Sequence, residues 1–506
     1  MMKRRKERKS EEKNRKNQPL ETSDAERKQD STKKLKNSTR NREFAVIAYS
    51  FLAIFIATMG YFAYFQTVKS EDFINSAYNA RQDSFSSSVI RGKILGAEGE
   101  VLAETQVDED GKETRNYPYG REFAHVVGYS TNGKLGIESQ ANFNLLRSNT
   151  FFLQRMVNEI TNKKNVGDNV YTTLNVDLQE TAYEALGDRE GAVVVMEPST
   201  GRILAMVSKP DFDPNKIATD WENISGDEES SVLVNRATQG LYPPGSTFKI
   251  FTTLEYMKEN PNYEDYSFQC RGTLTIEDSV IHCFGNEVHG SENLEESFTN
   301  SCNTSFSNIG VSLDKTSYRK LCESLLFNQS LPGPFETKNS SFVLDKNSTT
   351  MQTMQTAIGQ GETLVSPYHM LLVVSAIAND GVLMNPYVVD HTENADGTVV
   401  KEYENSEYGK LLSKSQAQIM QEYMKQVVND GTASALKGQS YTAAGKTGSA
   451  EINSNRDSHA WFVGYASKED SGKPDIAIAV IVEGAGTGGK YAAPVAKQVF
   501  DTYYGQ

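Results

Sequence analysis

The sequence has few residues of the types that hold metal ions. Among 506 residues there are 4 cysteines and 6 histidines, and no two cysteines are spaced as C-x-x-C. The histidines also lack the local spacing of zinc sites, so we expect no metal ion and no cofactor. Cys270 and Cys283, separated by 12 residues in a glycine-rich stretch, are either a disulfide formed outside the cytoplasm or two partly buried free thiols.

Basic stretches are missing outside the first 43 residues. Residues 1–43 carry 16 Lys/Arg against 8 Asp/Glu, which leaves a net charge of −22 for the rest of a chain whose total is −14. An acidic body of this kind argues against nucleic acid as a partner. The same 43 residues have almost no apolar side chains, so we expect a disordered basic tail.

Long apolar runs are also scarce, because only residues 44–65 form one. These 22 residues contain no charged side chain, which is long enough to span a bilayer as a helix. The basic flank before the run predicts a cytoplasmic N-terminus and an extracytoplasmic remainder. A cleaved signal peptide fits poorly, since the run is too long and no small-x-small site clearly follows it. We therefore expect a single-pass signal anchor in the cell membrane.

The remaining chain reads as two parts. Residues 66–165 contain short strand-like runs and turns without a cluster of catalytic residue types, which predicts a small α+β pedestal near the membrane. Residues 166–506 form the larger part, with a mostly helical middle between residues 246 and 430. Its predicted strands and last helix lie outside that middle, at 191–196, 202–208, 441–451, 459–466, 474–483 and 492–504. Strands from both ends around a helical middle predict one sheet covered by helices, an α+β fold.

A turn followed by a helix is predicted around Ser246. Pro243, Pro244 and Gly245 block a helix before this serine, so a helix begins at or near it. Lys249 lies three residues further on, on the same helical face. A helix start offers unpaired N–H groups to an oxyanion and disfavours a charged lysine, so Lys249 can accept the Ser246 proton. Taken alone, S-x-x-K also fits an N-cap serine followed by a surface lysine.

Two further motifs follow in the sequence. Residues 301–303 read Ser-Cys-Asn, which taken alone are ordinary loop and cap residues. Residues 446–449 read Lys-Thr-Gly-Ser on a predicted strand. Small residues beside the lysine let a substrate backbone lie along that strand, although a glycine-interrupted edge strand would look the same.

The three motifs together, S-x-x-K, S-x-N and K-T-G in this order, are specific. With them the chain resembles class B penicillin-binding proteins, the monofunctional peptidoglycan D,D-transpeptidases. Residues 91–94 and 135–138 resemble the membrane-proximal pedestal of that family, and residues 359–362 and 459–465 resemble its catalytic domain. The residue after K-T-G is Ser449, where many members have threonine, and both carry a hydroxyl.

The resemblance implies an acyl-enzyme mechanism for the first two motifs. Ser246 is the nucleophile that attacks the penultimate D-alanine carbonyl of a peptidoglycan stem peptide, and Lys249 is its general base. Ser301 relays a proton between the lysines and the leaving amine, and Asn303 positions Lys249 and holds the substrate amide. An amine of a neighbouring strand then resolves the acyl-enzyme into a cross-link, and a β-lactam antibiotic acylates the same serine.

The third motif is implied to bind substrate. Lys446 supplies positive potential, the hydroxyls of Thr447 and Ser449 hold the terminal carboxylate, and Gly448 leaves room for the substrate backbone. The backbone N–H groups of Ser246 and Ser449 form the oxyanion hole. The implied catalytic domain has an antiparallel five-stranded sheet flanked by helices.

Several alternatives share part of this pattern. The same chemistry serves D,D-carboxypeptidases and endopeptidases, and a β-lactamase would need a carboxylate that activates water, for which Glu362 remains open. A catalytically idle scaffold for wall enzymes is the alternative from another class. The chain has no space for a glycosyltransferase domain, so a separate glycan-strand polymerase is implied as a partner.

One glycine-rich motif is predicted to bind no phosphate cofactor. Residues 484–489 match G-x-G-x-x-G, but only 17 residues follow them. This leaves no room for the second strand of a dinucleotide-binding unit, so a turn between a strand and a helix is expected.

Overall fold

The computed structural model describes residues 24–65, 88–226, 231–451, 457–468 and 472–505. Predictions for residues 1–23 and 66–87 lie outside these ranges. The chain forms two compact units, Met1–Ile74 and Asn75–Gln506.

The described part of the first unit is dominated by one helix, α1 (Asp24–Tyr64). Its segment Arg42–Tyr64 is apolar and long enough to cross a membrane, which agrees with the span predicted at 44–65. Residues 24–43 continue the helix instead of forming the disordered tail that we expected. Their Lys, Arg, Glu and Gln side chains are good helix formers, a preference that an argument from low hydrophobicity does not consider.

The second unit mixes helices and strands throughout. Its α-helices are α2 (Ala124–Val127), α3 (Gly136–Gln140), α4 (Asn142–Leu146), α5 (Phe152–Ile160), α6 (Val176–Leu186), α7 (Ile217–Gly226), α8 (Lys249–Glu259), α9 (Leu294–Thr299), α10 (Asn303–Ser312), α11 (Lys315–Ser324), α12 (Thr350–Ala357), α13 (Pro367–Ala378), α14 (Lys414–Asn429), α15 (Gly488–Tyr491) and α16 (Ala493–Tyr504). Its strands are β1 (Val89–Ile90), β2 (Ile94–Leu95), β3 (Val101–Val107), β4 (Glu113–Asn116), β5 (Asn165–Val166), β6 (Asn169–Thr172), β7 (Gly191–Met196), β8 (Ile203–Lys209), β9 (Phe268–Cys270), β10 (Thr273–Ile276), β11 (Ser279–His282), β12 (Gly290–Glu292), β13 (Val382–Met384), β14 (Val389–Glu393), β15 (Val399–Glu402), β16 (Glu407–Lys410), β17 (Thr442–Ala450), β18 (His459–Ser467) and β19 (Ile476–Val482).

The central sheet has five antiparallel strands in the order β17-β18-β19-β7-β8. This confirms the sheet implied by the family resemblance, and the strands predicted at 191–196 and 202–208 pair with each other as β7 and β8. Strands β7 and β19 are apolar and buried along their whole length. Such continuous runs occur where both faces of a sheet are covered.

Helices cover both faces of the central sheet. Helix α13 packs against β7, β18 and β19, and all of its residues are buried. Helices α6 and α16 pack against each other and against the sheet. A helix that is apolar all round, like α13, belongs in a core of this kind.

A second sheet joins segments that are far apart in the sequence. Its six strands have the order β15-β14-β6-β2-β3-β4. Strands β2 to β4 come from the predicted pedestal, whereas β6, β14 and β15 come from beyond residue 166, and the predicted boundary at 165/166 falls inside β5. The stretch 246–430, predicted to be mostly helical, also contains β9 to β16. These strands have only three to five residues each, too few for a clear period-two pattern.

Candidate active site

The first motif forms a tight turn at the start of a helix. Gly245–Phe248 is one turn of 3₁₀-helix that leads directly into α8, so Ser246 lies at a helix start as predicted. Gly245 has φ +54°, and a methyl group in its place would lie 2.8 Å from the Ser449 carbonyl oxygen. Glycine is therefore required both by the backbone angle and by the close approach of β17.

Two contacts hold this turn against the rest of the fold. The indole N–H of Trp461 donates to the Pro243 carbonyl at 3.0 Å, and the Gly245 N–H donates to the Gly359 carbonyl at 2.9 Å. Gly359 has φ +75°, and a Cβ there would lie 1.9 Å from the Gly245 carbonyl oxygen. Gly245–Phe248, the nucleophile turn named for its predicted nucleophile Ser246, is thus packed backbone to backbone against Gly359.

Two lysine side chains meet at one serine hydroxyl. Lys249 Nζ donates to the Ser301 carbonyl at 2.6 Å, to Asn303 Oδ1 at 2.8 Å and to Ser301 Oγ at 3.2 Å. Lys446 Nζ donates to the same Ser301 Oγ at 2.9 Å. Ser301 has φ +59°, an unusual backbone angle for serine that is found at functional sites. The three motifs therefore converge at this hydroxyl.

Both lysines are removed from water. Lys249 and Lys446 are fully buried, and their Nζ atoms lie 5.4 Å and 5.5 Å from the ring centres of Phe306 and Phe298. Burial lowers the pKa of Lys249 to about 8. Burial, and then the charge of Lys249, lower the pKa of Lys446 well below its usual value. Each amine is therefore neutral far more often than a surface lysine.

Strand β17 is an edge strand that runs beside the nucleophile turn. A Cβ at Gly448 would lie 2.9 Å from the Pro244 carbonyl oxygen. The Thr447 hydroxyl is hydrogen-bonded to the Thr432 hydroxyl, and the Gly488 N–H donates to Ser449 Oγ at 3.3 Å. Both hydroxyls of the third motif thus have a hydrogen-bond partner outside β17.

A cavity of about 710 Å³ brings most of the predicted site together. Its lining includes Ser246, Ser301, Asn303, Thr447, Gly448 and Ser449. Lys249 and Lys446 are outside this lining and reach Ser301 from the protein interior. All eight predicted residues are therefore gathered at one site.

Some of the surrounding residues have no motif to signal them. Thr432 holds Thr447, Phe298 and Phe306 lie beside the lysines, and the His282 carbonyl accepts from Asn303 Nδ2 at 3.2 Å. Their roles come from contacts between segments that are distant in the sequence.

The structure also bears on three alternatives raised by the sequence. Glu362 is exposed and is not part of the cavity lining. Residues 484–489 form the loop and the start of α15, as expected for a turn, and Thr487 and Gly489 line the cavity. Cys270 and Cys283 are free thiols whose sulfurs lie 3.7 Å apart.

Comparison with known sequence families gives two matches. Residues 191–501 match the penicillin binding protein transpeptidase domain, and residues 91–170 match the penicillin binding protein A dimerisation domain. The peptidoglycan D,D-transpeptidase PbpA of Mycolicibacterium smegmatis is 31% identical over 443 residues, which are 80% of this chain and 87% of that protein.

Solved structures show the same fold. The D,D-transpeptidase domain of a peptidoglycan glycosyltransferase from Eggerthella lenta has a TM-score of 0.74 and 32% identity, over 83% of this chain and 99% of the other. Penicillin-binding protein A of Mycobacterium tuberculosis, solved as a ceftriaxone acyl-enzyme complex, has a TM-score of 0.74 and 27% identity over the same shares. Since the transpeptidase match covers more than half of the sequence, the chain belongs to the penicillin-binding protein transpeptidase family and is a class B peptidoglycan D,D-transpeptidase.

Proposed function

We propose that this chain cross-links peptidoglycan through an acyl-enzyme on Ser246, with Lys249 as the general base. The observation that carries this assignment is the Ser301 hydroxyl, which accepts from both buried lysines beside the cavity that Ser246 lines. Ser301 is thus the point through which a proton can move between the two amines.

In the acylation step, Ser246 Oγ attacks the carbonyl of the penultimate D-alanine. Its proton goes to the neutral amine of Lys249, which burial keeps available near neutral pH. The proton then passes through the Ser301 hydroxyl to the nitrogen of the terminal D-alanine, and the peptide bond breaks. Asn303 supports this path, because its Oδ1 accepts from Lys249 and holds the amine in place.

The edge of β17 is suited to the terminal carboxylate. The Thr447 and Ser449 hydroxyls donate to this carboxylate, Lys446 adds positive potential, and Gly448 lets the substrate backbone approach. The N–H groups of Ser246 and Ser449 stabilise the oxyanion, a contribution of about 3 kcal/mol per donor. The close packing of Gly245 against the Ser449 carbonyl supports this pairing.

The acyl-enzyme is then resolved by an amine rather than by water. The amine of a neighbouring stem peptide attacks the ester carbonyl, Ser246 leaves with a proton, and a new peptide bond forms. Support comes from Glu362, the candidate water-activating carboxylate in the sequence, which is exposed and lies outside the cavity lining.

The first unit supports a position of the enzyme at the cell membrane. The apolar segment at 44–65 anchors the chain in the cell membrane, with the N-terminus in the cytoplasm and the catalytic unit outside. A separate glycan-strand polymerase supplies the strands that are cross-linked. The length of the apolar segment supports the membrane anchor, and the basic residues before it support the cytoplasmic N-terminus.

The test is mass spectrometry of the detergent-solubilised full chain after incubation with labelled penicillin. We expect one stable adduct, on the peptide that contains Ser246, and none in the Ser246→Ala variant. The variant Ser415→Ala, which changes an exposed serine on α14, serves as a matched control and should be labelled like the unchanged protein. A label on another residue, or undiminished labelling of Ser246→Ala, would overturn the assignment.

The products formed from stem peptides and the lifetime of the penicillin adduct distinguish a transpeptidase from a carboxypeptidase and from a β-lactamase. We expect cross-linked dimers together with released D-alanine. Released D-alanine without dimers would identify a carboxypeptidase instead, and rapid loss of the penicillin adduct would identify a β-lactamase.

A further inference from the structure

Four side chains of types that can bind a metal ion meet beside the active site. They are Cys270, Cys283, His289 and Cys302, and one donor atom from each lies within 4.8 Å of all the others. The Sγ atom of Cys283 is 3.7 Å from that of Cys270 and 3.8 Å from that of Cys302. His289 Nδ1 is 3.4 Å from Cys270 Sγ. The histidine spacing in the sequence gave no sign of this cluster, because three of its four members are cysteines and none of them is spaced as C-x-x-C.

These distances fit a tetrahedral zinc site. With Zn–S bonds of about 2.3 Å and Zn–N bonds of about 2.0 Å, tetrahedral geometry places sulfurs about 3.8 Å apart and a nitrogen about 3.5 Å from a sulfur. The two sulfur–sulfur distances and the one nitrogen–sulfur distance given above agree with these values to within about 0.1 Å. Three sulfurs and one imidazole are also a ligand set that favours Zn²⁺ over Mg²⁺ or Ca²⁺, which prefer oxygen.

The surroundings supply hydrogen-bond donors to the sulfurs. The Thr304 hydroxyl lies 3.3 Å from the sulfurs of Cys270 and Cys302 and 3.4 Å from that of Cys283. The Gly272 N–H donates to Cys270 Sγ, and the Ser305 N–H donates to Cys302 Sγ, both at 3.4 Å. Donors of this kind orient metal-bound thiolates and balance their charge.

The cluster is connected directly to the catalytic machinery. Cys302 lies between Ser301 and Asn303 in the second motif and is the N-cap of α10. Cys283 and His289 belong to a segment that also lines the cavity. An ion bound by all four side chains would therefore fix the second motif to this segment.

We propose that Cys270, Cys283, His289 and Cys302 bind one Zn²⁺ ion, which holds Ser301 and Asn303 in their positions against Lys249. With four protein ligands the coordination sphere is closed, so the ion is structural and takes no part in the acyl transfer. Binding converts the three thiols to thiolates and releases their protons.

The first test is the zinc content of the detergent-solubilised full chain, purified without chelator and measured by inductively coupled plasma mass spectrometry. We expect about one zinc per chain, and at least a tenfold loss in Cys270→Ser and in His289→Ala. Cys322→Ser is the matched control, because Cys322 is a buried cysteine on α11 outside the cluster, and it should keep its zinc. Ser246→Ala should also keep it, so this result does not depend on which residue is acylated.

Cobalt provides a second readout that does not require activity. We expect Co²⁺ exchanged into the chain to show thiolate-to-metal charge-transfer absorption, which falls at least tenfold in Cys270→Ser and is kept in the control Cys322→Ser. Absence of zinc and of this absorption from protein that penicillin still acylates would overturn the proposal. A Cys270–Cys283 disulfide found by peptide mapping would overturn it as well.

The role of the ion is tested by acylation kinetics. We expect Cys270→Ser to be acylated by penicillin at least tenfold more slowly than Cys322→Ser, although neither change touches Ser246. A zinc-free variant that is acylated at the normal rate would show that the ion does not position the second motif.

Discussion

At the scale of single residues, the Ser301 hydroxyl is the centre of the site. Lys249 Nζ and Lys446 Nζ lie 3.2 Å and 2.9 Å from the same oxygen, so the two amino groups are close to each other. Two ammonium groups that both lie within hydrogen-bond distance of one oxygen in a buried site repel each other strongly. The site is therefore most stable when at least one amine is neutral, and a neutral amine is what a general base requires.

The rate of acylation should follow the titration of Lys249. Because burial lowers the pKa of this amine to about 8, its neutral fraction is about one tenth at pH 7 and about nine tenths at pH 9. We expect the second-order rate of acylation by a penicillin to rise about tenfold between these values and then to level off. Stopped-flow measurement with a fluorescent penicillin gives this profile.

The control for the pH profile is the integrity of the protein. The thermal unfolding midpoint is measured at each pH, so that rates are compared only where the chain is folded. A rate that stays constant from pH 6 to pH 9 would contradict the assignment of Lys249 as the base.

At the scale of elements, the nucleophile turn depends on a second turn that supports it. Gly359 lies in the loop after α12, and its carbonyl accepts a hydrogen bond from the Gly245 N–H. No Cβ fits at Gly359, because it would lie 1.9 Å from a backbone oxygen that cannot rotate away. The position of Ser246 therefore depends on a residue more than a hundred positions further along the chain.

The variant Gly359→Ala should lose most of its activity. We expect acylation by penicillin to slow at least a hundredfold, because the added methyl group displaces the backbone of Gly245 and with it Ser246. Gly397→Ala is the control, since Gly397 also has a positive φ of +80° but no atom lies within 4 Å of the position of a Cβ. The free energy of unfolding of this control should fall by only roughly 1–2 kcal/mol, which is the cost of a left-handed backbone angle at alanine.

Acylation rate and unfolding midpoint are measured for both variants. If Gly359→Ala is acylated as fast as Gly397→Ala, the turn tolerates displacement and the packing argument is wrong.

The elements that the sequence predicts well are those with an unbroken pattern. Strands β7, β8 and β19 are almost wholly buried and read as apolar runs, so they stand out in the sequence. The motif residues could be predicted too, because each motif is local. The roles of Thr432, Phe298 and the cysteine cluster could not be predicted. Their contacts join residues that are apart in the sequence, and no local pattern shows that these residues are close in space.

At the scale of the whole molecule, the second sheet crosses the predicted domain boundary at 165/166, because it contains strands from both sides of that boundary. Strand β6 pairs with β2 on one side and with β14 on the other, so a strand from beyond residue 166 completes the pedestal. A sequence read from one end to the other cannot show this return of the chain. We therefore expect Asn75–Gln506, which forms one compact unit, to unfold cooperatively.

A buried ion-pair network stabilises the pedestal side of this unit. Glu138 is fully buried and accepts from Arg91 Nε at 2.6 Å and from Arg115 Nε at 2.7 Å. The Tyr117 hydroxyl donates to the same carboxylate at 3.2 Å. Burial alone would raise the pKa of Glu138, but Arg115 and Arg91 outweigh it and lower the pKa below its usual value. The carboxylate is therefore ionised whenever the protein is folded near neutral pH.

The variant Glu138→Gln should destabilise the whole unit. It leaves two buried guanidinium groups without their counter-charge, a change that typically costs about 3–5 kcal/mol. Scanning calorimetry of the full chain in detergent should show one transition that shifts to lower temperature. Glu104→Gln is the control, because the side chains of its ion pair with Lys93 are 26% and 47% exposed, and ion pairs in contact with solvent contribute about 0–1 kcal/mol. A carboxyl with a lowered pKa loses its stabilising contribution as the pH falls. The difference in free energy of unfolding between Glu138→Gln and the unchanged protein should therefore become smaller below about pH 4.

A separate low-temperature transition in Glu138→Gln, with the main transition unmoved, would contradict this expectation. It would mean that the pedestal unfolds independently and that the shared sheet does not couple the two parts.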